Sequence, residues 1–318
     1  MHKGVLIPLI VVGGLALTAG LYFGAAAIYD AANPLSTVET EIADPFANID
    51  IDVSTSDVEI KLAEGAQAKV VCRDSEKIYH DVKVVGTTLS IIQKDTRSAF
   101  ERILPSLSFG KNYRATVYLP AGVYGNLKAS ASTGDFVIPA GYTFTKVTAS
   151  TSTGSIRANT LTSVQEVNLS ASTGSIGVDG LTAPSITMKT STGSIALKNA
   201  TLTGEAKANA STGSVRLDNV HAESFDVGAS TGNVTFANSI ASGHLRANAS
   251  TGNVKFDDSD ADTLYVKTST GNVTGVLLTK KIFYASSDTG TIRVPVSTEG
   301  GLAEIHTSTG NIILSIKE

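Results

Sequence analysis

Residues 167–178 read VNLSASTGSIGV and residues 186–197 read ITMKTSTGSIAL. In both stretches apolar and polar residues alternate up to a Ser-Thr-Gly triplet, and the alternation resumes beyond it at Ile176, Val178 and at Ile195, Leu197. A period of two marks a strand with one dry and one wet face. The phase slips at the triplet, because the inward positions three before and two after the glycine are an odd number of residues apart. A straight strand cannot do this. The chain must bend there, and glycine is the residue that takes a positive φ at a corner without steric cost.

The same unit recurs outward in both directions. Its glycine stands at Gly134, Gly154, Gly174, Gly193, Gly213, Gly232, Gly252, Gly271, Gly290 and Gly310, with successive spacings of 19 or 20 residues. Thr precedes each of these glycines, and Ser precedes that Thr except at Asp288. Aligned on the glycine, the columns seven, five and three before it and two and four after it hold no charged residue; around Gly154 they are Val147, Ala149, Thr151, Ile156 and Ala158. Leu161, Leu181, Val220 and Leu278 form a weaker third apolar position in the linking stretch. Two strands meeting at a corner every 19 or 20 residues predict an all-β, single-stranded β-solenoid of the parallel β-helix kind, each coil burying its apolar face on its neighbours. The rival arrangement is an antiparallel meander turning at each triplet. Parallel stacking is preferred because it aligns Asn233, Asn253, Asn272 and Asn311 with Ser155, Ser175, Ser194 and Ser214 in corner ladders whose side chains satisfy turn backbone and one another. Nine intervals of about 4.8 Å give a rod of about 43 Å.

Ahead of the repeat, Val5 to Tyr29 form an uncharged run of 25 residues, long enough for a transmembrane helix, which needs about 20. Residues 1–4, with Lys3, read as a short cytoplasmic tail, 5–29 as a membrane anchor and 30–40 as a linker, placing the body of a single-pass protein outside the cell membrane. The alternative is a signal peptide cut near Ala25, Ala26 and Ala27. Residues 41–125 read as an N-terminal β region and cap, and 126–318 as the solenoid. In the cap region Ile49, Ile51, Val53, Val58 and Ile60 outline a degenerate first coil around Ser54-Thr55-Ser56-Asp57, with further strands at 69–71, 82–85, 89–92 and 115–119. The stretch Asp95 to Asn112, with Phe100, Ile103, Leu104, Leu107 and Phe109, reads as a flap packed over the open end of the core.

Composition narrows the function. The 318 residues include 71 Ser plus Thr, no Trp and 6% aromatics, so the core is built of small side chains rather than those of an ordinary helical or α/β enzyme. A net charge of -4 argues against nucleic acid as a partner. One cysteine, Cys72, allows neither an intrachain disulfide nor a thiolate cluster and reads as an ordinary strand residue. The histidines at 80, 221, 244 and 306 lack a metal-ligand spacing, and the acidic group Asp257, Asp258, Asp260 and Asp262 reads as a solvated loop rather than a Ca²⁺ site. No acid pair recurs in adjacent coils, as a glycan-cleaving solenoid would need. The glycosylation-like triplets at Asn168 and Asn248 follow from the composition of the repeat. We therefore expect no catalytic, metal or cofactor site, the ten repeat glycines serving as structural turn residues.

The strand carrying Gly86-Thr-Thr-Leu-Ser-Ile, the strand ending Val117-Tyr-Leu-Pro120, and the Ser-Thr-Gly-[Asp/Ser/Asn]-[Ile/Val] units from Ser132 to Ile312 occur in an order that resembles the adhesin-type family with β-strand repeats described as domain of unknown function 4097. The likeness spans nearly all of residues 40–318. It implies a bacterial envelope protein with a right-handed β-solenoid-like fold, linked in some relatives to envelope-stress responses, and it carries no catalytic residues over. The functional expectation is a non-enzymatic, membrane-anchored protein of adhesion, envelope interaction or stress sensing whose partner is an envelope glycan or protein. A self-assembling surface scaffold is the alternative, and a glycan-active enzyme is disfavoured.

Overall fold

Each repeat folds as two arms joined at the glycine. The arm before it is a strand such as Glu166–Thr173 or Ser185–Thr192, and the arm after it a strand such as Ile176–Ala183 or Ile195–Leu202. Like arms stack in parallel and in register, Val167 on Ile186, Leu169 on Met188, Ile176 on Ile195 and Val178 on Leu197, so chemically equivalent side chains meet from winding to winding. A computed structural model of the chain describes residues 33–103 and 112–317. Its 27 strands join into one sheet wound as an all-β solenoid, and the flanks of each repeat glycine pair with the next winding rather than with each other. The expected anchor, residues 5–29, and residues 104–111 of the expected flap lie outside the described residues. Among the described residues no helix is long and apolar enough to cross a membrane.

The apolar columns fill the interior. Ile156, Val215 and Val254 are all fully buried. Aromatic rings extend the stacking: Phe236 and Phe256 lie 5.3 Å apart with their planes nearly parallel, and Phe225 stacks on Phe236 at 5.9 Å. Each such side chain withdrawn from water contributes about 2 kcal/mol, so the columns offset the ordering entropy of the backbone only when many windings are stacked.

The linking stretch forms a third short face. Six residues past the glycine, Thr160, Asn199, Asn219, Asn238 and Asp258 adopt φ between 47° and 56°, a second corner in left-handed conformation, where short polar residues are enriched. Leu161, Leu181 and Val220 beyond it are buried. At the eighth repeat the inward residue is Leu277, fully buried, and not Leu278, because the residue six past the glycine is not left-handed there and the phase is not reset.

Both ends depart from simple order. The strands Asn48–Val53 and Ser56–Leu62 stack directly on the first regular winding, Ile49 opposite Leu127 and Val58 opposite Phe136. Thr88–Asp95 and Tyr113–Leu119, later in sequence, stack outside them. Antiparallel strands then close this end: Ile78–Val85 on Thr88–Asp95, Ala68–Asp74 on Tyr113–Leu119, and Ser36–Ile42 on Ala68–Asp74. Antiparallel edges break the parallel register that would otherwise template another chain.

At the other end the last two windings exchange places. The strands Gly301–Thr309 and Ile312–Ile316 sit between the eighth repeat and the winding made by Lys281–Thr289 and Ile292–Arg293, which is the ninth. The final sequence repeat is thus interior, and Ile292, in an inward column, is 41% exposed because its winding is outermost. A buried ion pair fixes the crossover: Lys281 Nζ lies 2.9 Å from Asp260 Oδ1, while Asp260 Oδ2 accepts from the backbone N–H groups of Leu278 and Thr279.

Candidate functional site

The repeat glycines form one line up the rod, all with φ between 132° and 157°. At Gly213 a methyl group would fall 2.0 Å from the carbonyl oxygen of Gly193 in the neighbouring winding, so stacking distance as well as φ demands glycine. The residue three before the glycine explains its own restriction to Ala, Ser or Thr. Where it is Thr, as at Thr151, Thr190, Thr268 and Thr307, its hydroxyl donates at 2.9–3.2 Å to the glycine carbonyl of the neighbouring winding.

The residue after each glycine forms the second line. The backbone N–H groups of Asn253, Asn272 and Asn311 donate at 2.8–2.9 Å to the side-chain oxygen of Asn233, Asn253 and Asn272 respectively. Ser175 and Ser194 donate likewise to Ser155 and Ser175 Oγ, and Asn233 to Ser214 Oγ. The ladder places these polar atoms in the service of the turns, leaving little free for a ligand.

On the outer side of the arm before the glycine lies a long open trough of about 740 Å³. Its floor is the column of Ala and Thr three before the glycine, from Ala131 to Ala249. One rim is a serine row, Ser152, Ser172, Ser191, Ser211, Ser230, Ser250 and Ser269, and the other carries Ser150, Ser170, Asn209 and Asn248 with Lys189 and Lys267. These two lysines, both exposed, are the only charged residues in its lining. The register explains the concavity: the serine of each triplet is skipped in the pairing, Ala171 pairing with Thr190 and then Thr173 with Thr192, so the strand kinks away at that residue. Sequence pattern shows the serine row but not the skipped pair that turns a flat face into a groove.

The acidic group at 257–262 is dispersed among separate partners. Asp257 pairs with Lys255 at 2.7 Å, Asp258 with Lys317 at 2.6 Å and Asp260 with Lys281. His306 hydrogen-bonds Ser286 Oγ at 2.9 Å across two windings.

His80 is different. Its imidazole, wholly buried, lies with Nδ1 2.5 Å from Asp74 Oδ1 and Nε2 3.0 Å from Ser56 Oγ, while its backbone N–H donates to Asp74 Oδ2 at 3.0 Å. Cys72 lies on the same inward face as Asp74, and burial, aided by the Asp74 charge, pushes its thiol up to about 12. The order Ser56, His80, Asp74 is that of a hydrolytic triad, but Ser56 is fully buried, so a substrate has no approach to Oγ. Ser56 occupies the place of a repeat glycine: a methyl group on Gly134 would meet its carbonyl oxygen at 2.0 Å. His80 lies over this corner, its Nε2 against Ser56 Oγ. A periodic reading of the sequence misses this trio because the hairpin that delivers His80 is antiparallel and follows no repeat.

The model of the family described as Toastrack DUF4097 matches residues 46–210 and 204–318. No curated protein matches the chain. Among solved structures, one named as a putative lipid binding protein from Parabacteroides distasonis is 16% identical, covering 88% of this chain and 96% of its own, with a TM-score of 0.48. One named as a putative adhesin from Bacteroides fragilis is 13% identical over 89% of this chain and 97% of its own, with a TM-score of 0.43. Another so named, from Parabacteroides merdae, is 14% identical over 88% and 96%, with a TM-score of 0.34. The two family matches together run from the degenerate first winding through the last repeat, and the chain belongs to the Toastrack DUF4097 family.

Proposed function

We propose that this protein is a non-enzymatic, membrane-anchored rod of the cell envelope whose trough binds an extended envelope glycan, serving adhesion or the sensing of envelope state. The observation that carries the reading is the trough itself: a groove across successive stacked windings with a small-residue floor, hydroxyl and amide rims, and the exposed Lys189 and Lys267 on one rim. A row of like donors and acceptors at strand spacing suits a polymer that repeats its own hydroxyl groups. With no aromatic residue in the lining, binding rests on hydrogen bonds and gains strength from length. Anchoring and outward orientation are supported by the uncharged run from Val5 to Tyr29 behind Lys3.

The test is titration of the full-length chain in detergent with purified envelope glycans. Saturable binding is expected, weakened at least about tenfold, or about 1.4 kcal/mol, by Ser211→Arg with Ser230→Arg, exposed changes that fill the groove. Absence of saturable binding, or indifference to those substitutions, overturns the reading.

The exposed C-terminal end favours self-assembly as a second reading. The outermost strand, Lys281–Thr289, has one unpaired edge, with Tyr284 66% exposed. A clean monomer in sedimentation at high concentration removes it.

A further inference from the structure

We propose that Cys72, Asp74 and His80 form a binding site for a borderline-soft divalent cation, with zinc the ion of best fit. The ligand atoms of the three side chains lie within 4.8 Å of one another, and all three residues are buried. Around a tetrahedral zinc, bonds of about 2.0–2.3 Å place ligand atoms about 3.3–3.8 Å apart, so small side-chain adjustments bring all three onto one ion. The positions are held by backbone: Cys72 and Asp74 alternate onto the inward face of Ala68–Asp74, and His80 comes from the neighbouring strand Ile78–Val85.

The donor set selects the metal. Sulfur, imidazole nitrogen and one carboxylate suit zinc and its neighbours, whereas calcium and magnesium take oxygen. Surrounding bonds already orient the ligands. With Nε2 bonded to Ser56 Oγ the imidazole turns Nδ1 toward Asp74, and the His80 backbone N–H holds the second carboxylate oxygen, leaving the first for the ion. The competing metal-free reading is a His–Asp pair that locks the hairpin. That reading uses Asp74, His80 and Ser56 but leaves Cys72 idle: the residue is 2% exposed, and its sulfur sits beside a carboxylate and has no hydrogen-bond partner among the described residues. A divalent ion instead balances one thiolate and one carboxylate, the Cys72 thiol releasing its proton to solvent as the ion binds. The three protein ligands leave one coordination position for a water or hydroxyl. The inference is independent of the trough, which lies on the regular windings.

The experiment uses the full-length chain stripped with EDTA and titrated with Zn²⁺ or Co²⁺ alone. One equivalent of Co²⁺ is expected to give a thiolate-to-cobalt charge-transfer band with the intense visible bands of a tetrahedral site, and Zn²⁺ to abolish them and raise Tm by several degrees. Cys72→Ala should fold, show no charge-transfer band, and melt at the same Tm in Zn²⁺ as in EDTA. His80→Gln should lower cobalt affinity at least about tenfold. A Co²⁺ spectrum that stays that of the aqueous ion, or cobalt bound with no thiolate band, overturns the proposal; so does a Tm equal in Zn²⁺ and EDTA.

Discussion

Gly213 shows how strictly one residue is constrained. Its φ of 132° is unfavourable for any side chain, and an added methyl would press on the Gly193 carbonyl. Gly213→Ala combines backbone strain with overpacking and should cost about 3–5 kcal/mol, lowering Tm by on the order of 10 °C. Gly177→Ala is the control, since a methyl there meets nothing within 4 Å and φ is not left-handed; its Tm should stay within about 2 °C. Calorimetry on the two variants decides, and equal effects would mean that the glycine line is incidental. Val254 makes the complementary case on the apolar side. Fully buried between Val234 and Val273, it offers a carboxylate no partner, so Val254→Asp should cost about 4 kcal/mol or more, read as a lowered and broadened melt.

At the scale of the element, the short helix Ala99–Ile103 is set by local chemistry alone. Ser98 and Glu101 form a capping box: the Ser98 N–H donates to Glu101 Oε2 at 2.8 Å and the Glu101 N–H to Ser98 Oγ at 3.3 Å. Lys77 pairs with the same carboxylate. The Lys77 ammonium, then the Ser98 N–H, hold Glu101 down to about 2 from its ordinary 4.5. Since the folded value is the lower one, the stabilisation is present above pH 4.5 and is lost as pH falls from about 4.5 toward 2. An NMR titration of the Glu101 carboxyl carbon should find its midpoint well under 4, returning toward 4.5 in Lys77→Met; an ordinary midpoint in the parent chain would show that the pair is not held in solution. The Ser-x-x-Glu signature of this helix stands in plain sequence, yet a reading tuned to strand alternation passes over it. The repeat arms were legible because each column is sampled ten times, so chance apolar residues average out. The second corner was not, because the position varies among Thr160, Gly180, Asn199, Asn219, Asn238 and Asp258, with no triplet to mark it. Cys72 and His80 fared worst, for they stand eight residues apart on strands that follow no repeat, Cys72 pairing antiparallel with Ala115 and His80 with Gln93.

For the whole molecule, the exchange of the last two windings is the feature that no column of residues reveals. Ile292 and Ile312, or Val294 and Leu314, are interchangeable in an alignment, and either winding satisfies the same stack. The discriminating residues are those of the crossover: Lys281 buried against Asp260, and the pair Gly300-Gly301, where a methyl would meet Lys280 and Asp262 carbonyl oxygens at 1.9 and 1.7 Å. Tucking the chain end inward means that the winding over Gly301–Ile316 is held from both sides, while its predecessor in sequence has only one neighbour. Removal of the final repeat therefore has a consequence opposite to that for a rod stacked in chain order. In an ordered stack, ending the chain after Gly300 would trim a terminal winding and leave residues 281–293 paired as before. Here it takes away their whole support, since Phe283 pairs with Ala303, Ala285 with Ile305 and Ile292 with Ile312. Hydrogen exchange on a chain ending at Gly300 should find the amides of 282–293 exchanging at open-chain rates, while 264–274 keep partial protection through their bonds to the preceding winding. Undiminished protection over 282–293 would mean that this segment stacks on the eighth repeat, as sequence order alone suggests, and that the exchanged ending is wrong.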